Sequence, residues 1–499
     1  MSLKKFFGKI IAKQTRKKVD AWKKDAVNRQ NQTLLKITDK AKDTQFGKDH
    51  DFSTIKSYSD FKKLVPVRDY EALKPYFDRL VNGEADIFWP GLPKYFSKTS
   101  GTTSGTKYIP ISKESMGHHL TAARDALLLY ISQTGNADFV DGKMIFLQGS
   151  PVMTEKNGIA TGRLSGIVAH HIPAYLQKNR LPSLKTNSID DWETKVDAII
   201  DETINEDMTL ISGIPSWVQF YFERILTRSG KQHIKEVFPN FNLFVYGGVN
   251  FEPYRSRFEK LIGKRVDSIE TYPSSEGFIA FQDDQNDSSL LLNVDAGIFF
   301  EFIPAENYFD ENPPRISLAE VEVDKNYALI LSTNAGLWAY SIGDTVKFTS
   351  LNPYKILVTG RIKHFTSAFG EHVIAEEVEA ALREAVEKYP AEVIEFTVAP
   401  ELNPTEGLPY HEWFIAFAKA PENMTAFAES IDKTMQKRNA YYADLINGKI
   451  LRPLRITSLK QDAFNAYMKS QGKLGGQNKV PRLSNDRKIA DVLTEWREK

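Results

Sequence analysis

Eleven consecutive residues, Ser97-Lys98-Thr99-Ser100-Gly101-Thr102-Thr103-Ser104-Gly105-Thr106-Lys107, lie between Tyr95-Phe96 and Tyr108-Ile109-Pro110. Small residues let a backbone approach a phosphate chain closely. Their N–H groups and hydroxyls donate to it, and lysine adds charge. The spacing is not that of a P-loop: Gly101 and Gly105 are separated by three residues, and Lys107 is followed by Tyr108. The P-loop has a wider glycine spacing and a Ser or Thr after its lysine. On composition, a phosphate cradle and a Ser/Thr/Gly surface loop both fit.

Four other stretches carry chemistry of a compatible kind. In Glu270-Thr271-Tyr272-Pro273-Ser274-Ser275-Glu276-Gly277 an aromatic ring and a carboxylate sit beside a tight turn. The ring can stack on a purine, and the carboxylate can hold Mg²⁺ beside substrate phosphates. In Tyr340-Ser341-Ile342-Gly343-Asp344 the aspartate can accept ribose hydroxyls. Gly360-Arg361-Ile362-Lys363, with Gly370-Glu371 beyond, and Gly472-Lys473-Leu474-Gly475-Gly476-Gln477-Asn478-Lys479-Val480-Pro481-Arg482 are basic and punctuated by glycine. Taken singly, each also suits an ordinary turn or a solvated loop.

The elements that must position these loops alternate between helical and strand periods, which predicts an α/β chain. Short strands are expected at 143–148, 242–246, 266–271, 298–303 and 328–332, with a helix over 217–226. Residues 57–83 read as helical, with Ser57 and Asp69 as start signals and Asn82-Gly83 as the stop. After an acidic amphipathic helix at 375–389 the pattern changes to strands at 393–398 and 413–418 and a helix at 421–443. A boundary is therefore placed near residue 361, giving parts 1–360 and 361–499. His118-His119 has no partner at metal-ligand spacing and reads as a pair on a helix surface.

The chain has 499 residues, 65 Lys+Arg, 64 Asp+Glu and no cysteine. The balanced charge argues against a protein built mainly to bind nucleic acid. Disulfides, thiolate zinc sites and cysteine nucleophiles are excluded. There is no HExxH pair, GxSxG elbow or GxGxxG after a strand, so metalloprotease, serine hydrolase and dinucleotide oxidoreductase lose support. Residues 4–24 carry nine basic residues and one acid, Asp20, with Phe6, Phe7, Ile10, Ile11, Val19 and Trp22 at helical spacing. The expectation is an amphipathic helix packed on the body with a solvated basic face. Neither a secretory signal nor a membrane partner is expected, and the chain should not co-sediment with anionic vesicles. A cytoplasmic location follows from the same features.

The five motifs occur in an order that resembles the auxin-responsive Gretchen Hagen family of acyl-acid amido synthetases, within the adenylate-forming superfamily that includes firefly luciferase. The resemblance starts at Lys74-Pro75-Tyr76 and Asn82-Gly83-Glu84 and runs through Thr99 to Gly105 and Thr271 to Glu276. It continues through Phe300-Glu301-Phe302-Ile303-Pro304, Gly336 to Asp344 and Gly475 to Arg482. The short loops are closer to a bacterial branch than to the plant one. The resemblance implies a large N-terminal domain of helix-flanked sheets with a small barrel-like subdomain, and a smaller mobile α/β C-terminal domain. It implies ATP and Mg²⁺, with a carboxylic acid joined to an amino acid or other amine. Ser100, Gly101, Thr102, Thr103, Ser104, Gly105 and Lys107 would hold phosphates, with Thr102 and Ser104 also catalytic. Gly247 and Gly248 would line the adenine pocket with Thr271, Tyr272 and Ser275. Glu276 would bind the metal, Asp344 the ribose, and Arg361 ribose or phosphate near the hinge. Lys479 would be the lysine that promotes adenylation. Where plant relatives carry arginines this chain has Ala339 and Ser341, and Arg124 lies near the region of a plant acyl-pocket arginine. Transfer of the acyl-adenylate to coenzyme A, or nucleotide binding without turnover, are the alternatives.

Overall fold

Ser2 caps the first helix, its Oγ accepting from Lys5 N at 3.2 Å, and α1 (Leu3–Lys24) is followed by α2 (Ala26–Ala41). The computed structural model describes residues 2–100, 106–172, 177–189, 191–248, 251–362, 373–402, 404–447, 450–474, 479–484 and 486–498. In α1 the residues Ala12, Thr15, Val19 and Trp22 are buried, whereas Phe6, Phe7, Ile10 and Ile11 are exposed. The expected packed apolar face therefore holds only for the second half of the helix. Among the described residues no helix is long and apolar enough to cross a membrane.

By contacts the chain divides into two units, residues 1–248 with 266–357, and residues 249–265 with 358–499. The chain leaves the first unit four residues before the expected boundary near 361, and the short stretch 249–265 groups with the second unit. Strands β1 (Tyr95–Ser100) and β2 (Thr106–Ile111) pair antiparallel, in register from Tyr95↔Ile111 to Ser100↔Thr106. Helix α3 (Lys113–Thr134) follows, closed at its start by a Ser112/Ser115 capping box.

The large sheet begins with five parallel strands: β3 (Lys143–Phe146), β4 (Arg180–Leu181), β5 (Met208–Ser212), β6 (Leu243–Gly247) and β7 (Asp267–Pro273). Seven more join them: β8 (Phe278–Phe281), β9 (Leu290–Leu292), β10 (Ile298–Pro304), β11 (Ile316–Ser317), β12 (Asn326–Thr333), β13 (Tyr340–Leu351) and β14 (Tyr354–Arg361). The order is β11-β10-β12-β13-β14-β9-β8-β7-β6-β5-β3-β4, twelve strands in one hydrogen-bonded series. The burial of the central strands on both faces explains their unbroken apolar runs. The core joins Ala122, Ala126 and Leu129 of α3 to Leu210, Leu243, Ile269, Leu291 and Phe300 of the sheet.

In the second unit α4 (Glu252–Ile262) is tied to Glu392 by Arg257 at 3.2 Å and by Lys260. Helices α5 (Ala375–Lys388) and α6 (Met424–Arg438) cover a three-stranded sheet of β15 (Glu392–Glu401), β16 (Tyr410–Lys419) and β17 (Arg455–Leu459), in that order. Val378, Leu382, Phe396, Trp413, Ile431 and Met435 build its core. The helix expected over 421–443 ends at Arg438, because Asn439 is extended and its side chain accepts from Tyr442 N at 2.8 Å. The helical stretch expected over 57–83 is two helices, Tyr58–Leu64 and Lys74–Val81.

Candidate active site

In an open sheet of parallel strands, ligands gather at the carboxyl ends. Here those ends deliver Gly247-Gly248 and Thr271-Tyr272 side by side, since β6 and β7 pair in register Gly247↔Thr271. Thr271 Oγ1 donates to Tyr246 O at 2.9 Å, closing the two strands. A Cβ on Gly247 would lie 2.4 Å from Thr271 O, and Gly248 has φ +80°. Both positions therefore present bare backbone, against which a planar ring can lie.

Tyr272 and Asp344 are brought together although 72 residues apart: the Tyr272 hydroxyl donates to Asp344 Oδ2 at 2.6 Å. A bulge makes this meeting possible. Along β12 and β13 the register steps from Ile330↔Ser341 to Ala328↔Thr345, and Gly343 takes φ +81° within it. The extra residues turn Asp344 toward β7. The Tyr272 ring is buried at 8% exposure, and Asp344 is half-buried.

The phosphate-loop region and the 271–277 turn also meet. Ser275 Oγ and Ser97 Oγ lie 2.8 Å apart, tying the turn to β1, the strand that precedes residues 101–105 in the chain. The turn itself is fixed by Ser274 N donating to Gly277 O at 2.9 Å and Ser274 Oγ at 3.1 Å, which holds half-buried Glu276 at its crest. A Cβ on Gly277 would lie 2.4 Å from Ile298 Cδ1, so a larger residue there would displace the end of that side chain. Gly101, Thr102, Thr103, Ser104, Gly105 and the Ser100 side chain lie outside the described residues, as do Lys363, Gly370-Glu371 and residues 475–478. Lys107 emerges from β2 with Nζ 5.4 Å from the Tyr70 ring centroid, and Tyr70 accepts from Tyr108 N at 3.1 Å. Among the described residues no group of three or more His, Asp or Glu side chains could hold a metal. A single carboxylate at Glu276 suits a cation carried mainly by phosphate oxygens and water, the usual preference of Mg²⁺.

The second unit carries the remaining two candidates, both exposed. Arg361 ends β14. Lys479 opens a segment pinned along the edge of β15. Thr397 Oγ1 donates to Pro481 O at 2.7 Å, Val398 N donates to Arg482 O at 3.0 Å, and Ser484 N donates to Val398 O at 2.9 Å. Arg482, expected in a solvated basic loop, is instead buried. It pairs with Glu379 at 3.3 Å and with Glu395, and lies 4.7 Å from the Phe396 ring centroid. Arg482 is the anchor from which Lys479 projects, a role that its place in a glycine-rich basic run conceals.

Other expectations change. His119 is buried with Nδ1 unpartnered, and burial, then the charge of His118, pushes it down to about 4. The His pair is inward-facing, and His118 is lowered by burial as well. Arg124 pairs with neighbouring Asp125 at 2.8 Å. Ala339 is fully buried at φ +40°, and Ser341 Oγ meets Tyr308 OH at 2.7 Å, so neither position opens onto solvent. A cation that the sequence does not advertise lies at the other edge of the parallel strands. Arg180 has one hydrogen bond, Nη1 to Ala169 O at 3.4 Å, packs 5.2 Å from the Phe146 ring centroid and leaves Nε unpartnered. Gln148 Nε2 and both side-chain polar atoms of Asn187, in the same unit, are also buried without partners.

Residues 15–189 and 164–266 match the GH3 family N-terminal domain, 291–361 the GH3 family central domain, and 376–488 the GH3 family C-terminal domain. Jasmonoyl-L-amino acid synthetase GH3.5 of Oryza sativa subsp. japonica is 22% identical, with 94% of this chain and 95% of the rice protein covered. Indole-3-acetic acid-amido synthetase GH3.3 of Arabidopsis thaliana is 23% identical, covering 93% and 90%. The fold matches GH3.15 acyl acid amido synthetase with TM-score 0.78 at 17% identity over 96% of each chain. It also matches 2-hydroxyisobutyryl-CoA ligase in its postadenylation state, with TM-score 0.55 at 13% identity over 95% and 91%.

Proposed function

The chain belongs to the GH3 family, and from that premise we propose that it is an ATP-dependent ligase that adenylates a carboxylic acid and conjugates the acyl group to an amino acid or another amine. The observation that carries the site assignment is the Tyr272–Asp344 bond at the carboxyl end of the parallel strands, beside Gly247-Gly248. It joins a ring for adenine to a carboxylate for ribose at one place.

A carboxylate resists nucleophiles because its own charge repels them. In the first step its oxygen attacks the α-phosphorus of ATP, the bond to the bridging oxygen breaks, and pyrophosphate leaves. In the second the amine nitrogen attacks the acyl carbon, the C–O bond to AMP breaks, and nitrogen gives up a proton to solvent. The first transition state spreads negative charge over phosphate oxygens and calls for cations and oriented donors. Residues 100–105, with hydroxyls on Thr102 and Ser104, and Lys107 supply donors for the β- and γ-phosphates. Arg361 reaches ribose or phosphate, and Lys479 brings its ammonium to the reacting carboxylate and α-phosphate. Mg²⁺ held by Glu276 would supply further charge on the phosphates.

The alignment with the rice enzyme spans 562 positions, longer than the 499-residue chain, so this chain lacks segments of the plant protein. That agrees with a short-loop bacterial branch. ATP as cosubstrate fits a cytoplasmic enzyme. The test is pyrophosphate release from ATP with a pooled carboxylic-acid library, with hydroxylamine trapping the acyl-adenylate. An amine panel and coenzyme A then serve as competing acceptors. Acid-dependent release with amide products is expected; thioester products alone would overturn the amine assignment. Lys479→Ala should abolish release and leave ATP binding measurable, and full activity would remove the lysine from the mechanism.

A further inference from the structure

The buried side of α1 is made by Ala12, Thr15, Val19 and Trp22. With about 3.6 residues per turn, Leu3, Phe6 and Ile10 fall on the opposite side, and Phe7 and Ile11 lead round its edge toward Trp22. All five are exposed, at 76%, 48%, 56%, 41% and 47%. Lys4 lies on one flank of this stripe and Lys9 and Lys13 on the other, all exposed. The start of the helix is fastened to the body. Ser2 Oγ donates to Asp141 Oδ1 at 2.5 Å, and Lys5 Nζ pairs with Asp138 at 2.8 Å and Asp141 at 3.1 Å. An anchored helix therefore presents an apolar face outward, where a soluble helix normally turns charge to water. The stripe also precedes residue 15, where the family match begins, so it is a feature of this chain beyond the matched segment.

Against the expectation that the helix has no membrane partner, and on the strength of its outward apolar stripe, we propose that α1 docks the enzyme on an anionic lipid surface. A helix lying in the plane of a bilayer inserts its apolar face between head groups and acyl chains and sets lysines against lipid phosphates. The charge decides between occupants. Of the nine basic residues in 3–24, Lys5, Arg16 and Lys23 pair with aspartates of the body, while Lys4, Lys9 and Lys13 border the stripe, so pairing with a second copy would set cation against cation. Five partly exposed side chains also fall short of the roughly 800 Å² per partner that a stable protein interface buries. An anionic bilayer answers both the apolar stripe and its lysine border.

The test uses the full chain, sedimented with vesicles of mixed phosphatidylglycerol and phosphatidylcholine and, separately, of phosphatidylcholine alone, at low and high salt. Binding to the anionic vesicles that weakens with salt is expected. Phe6→Glu/Ile10→Glu should lower the bound fraction at least about tenfold, and Lys9→Glu/Lys13→Glu should remove the preference for anionic lipid. Because none of these side chains is buried, both variants should melt with the wild type and keep its ATP-dependent activity. A wild type that stays in the supernatant overturns the proposal, as does binding that the Phe6→Glu/Ile10→Glu variant retains. A dimer in light scattering that the same variant dissolves would give the stripe to a second copy instead.

Discussion

Replacing Asp344 by alanine tests the ribose assignment most directly. Its Oδ2 accepts from Tyr272 at 2.6 Å, and the proposal gives the carboxylate two ribose hydroxyls when ATP is bound. A hydrogen bond to a charged group contributes about 1.5–3 kcal/mol, so two amount to about 3–6 kcal/mol, or roughly 10²–10⁴-fold in kcat/KM for ATP. Tyr272→Phe keeps the ring and the carboxylate and removes only the hydroxyl, so its cost should stay below roughly tenfold. Stability separates the two in the other direction. Asp344→Ala leaves a hydroxyl on a residue only 8% exposed without its acceptor, a loss of about 1–3 kcal/mol. The double variant Asp344→Ala/Tyr272→Phe should recover part of that stability and none of the ATP affinity. Pyrophosphate release, titrated in ATP at saturating acid and in acid at saturating ATP, gives the kinetic terms, and urea midpoints give the stability. If Asp344→Ala raises KM for the acid as much as for ATP, or if Tyr272→Phe costs as much as Asp344→Ala, the reasoning fails.

Gly247→Ala puts a Cβ 2.4 Å from Thr271 O in backbone that cannot yield cheaply, so ATP should lose its protective shift in a thermal melt. Arg482→Met leaves Glu379 and Glu395 without their cation and should cost about 3–5 kcal/mol in urea unfolding, with Glu395→Gln in the same chain recovering part of it. Glu377 is pushed up to about 7, chiefly by burial, so its native form keeps a proton that the unfolded chain releases near 4.5. Its stabilising contribution is complete below 4.5 and is lost as pH rises through 7, so Glu377→Gln should stabilise by about 2 kcal/mol more at pH 8 than at pH 5, and equal effects would refute this. Arg180→Met removes a half-buried cation with a single weak hydrogen bond and an unpartnered Nε, so the melting temperature should rise; a fall in stability would identify the arginine as structural.

Strands and turns at the motifs were legible because each is a local matter of apolar runs and breakers. The tight turn after Tyr272 and the strand into Gly247 follow from residues within a few positions of one another. The Tyr272–Asp344 bond was not legible, since it depends on a bulge around Gly343 that shifts the register of β13 against β12. Arg482 resembles any basic loop residue until Glu379 and Glu395 are folded around it. His118-His119 lacked a visible partner in the sequence, yet in the fold His119 is buried and His118 half-buried, which a helix-surface reading does not reveal. In α1 the apolar positions were plain, but periodicity cannot say which face meets the body. Val19 and Trp22 face inward, and Phe6 and Ile10 face outward. The grouping of 249–265 with the second unit rests on ion pairs from Arg257 and Lys260 to Glu392, over a hundred residues away.

The pinned segment below Lys479 bears on how adenylation can be promoted at all. An exposed lysine carries several rotatable bonds, and ordering its backbone as well would cost about 1–2 kcal/mol per residue at the moment of reaction. Residues 480–484 have already met that cost, through Thr397, Val398 and the Arg482 ion pairs. On the proposed reading, Lys479 is therefore carried at the start of a segment that is already ordered two residues further on. Any motion that brings it to the reacting carboxylate has to come from the single covalent passage through β14 and from the two connections that flank 249–265. Gly360, at φ +145° inside β14, stands at one of these places and has a conformation that side-chain-bearing residues rarely adopt. Gly360→Ala should then lower kcat for adenylation without changing the affinity for ATP. Loss of ATP affinity with unchanged kcat would show that the passage through β14 shapes the nucleotide site instead.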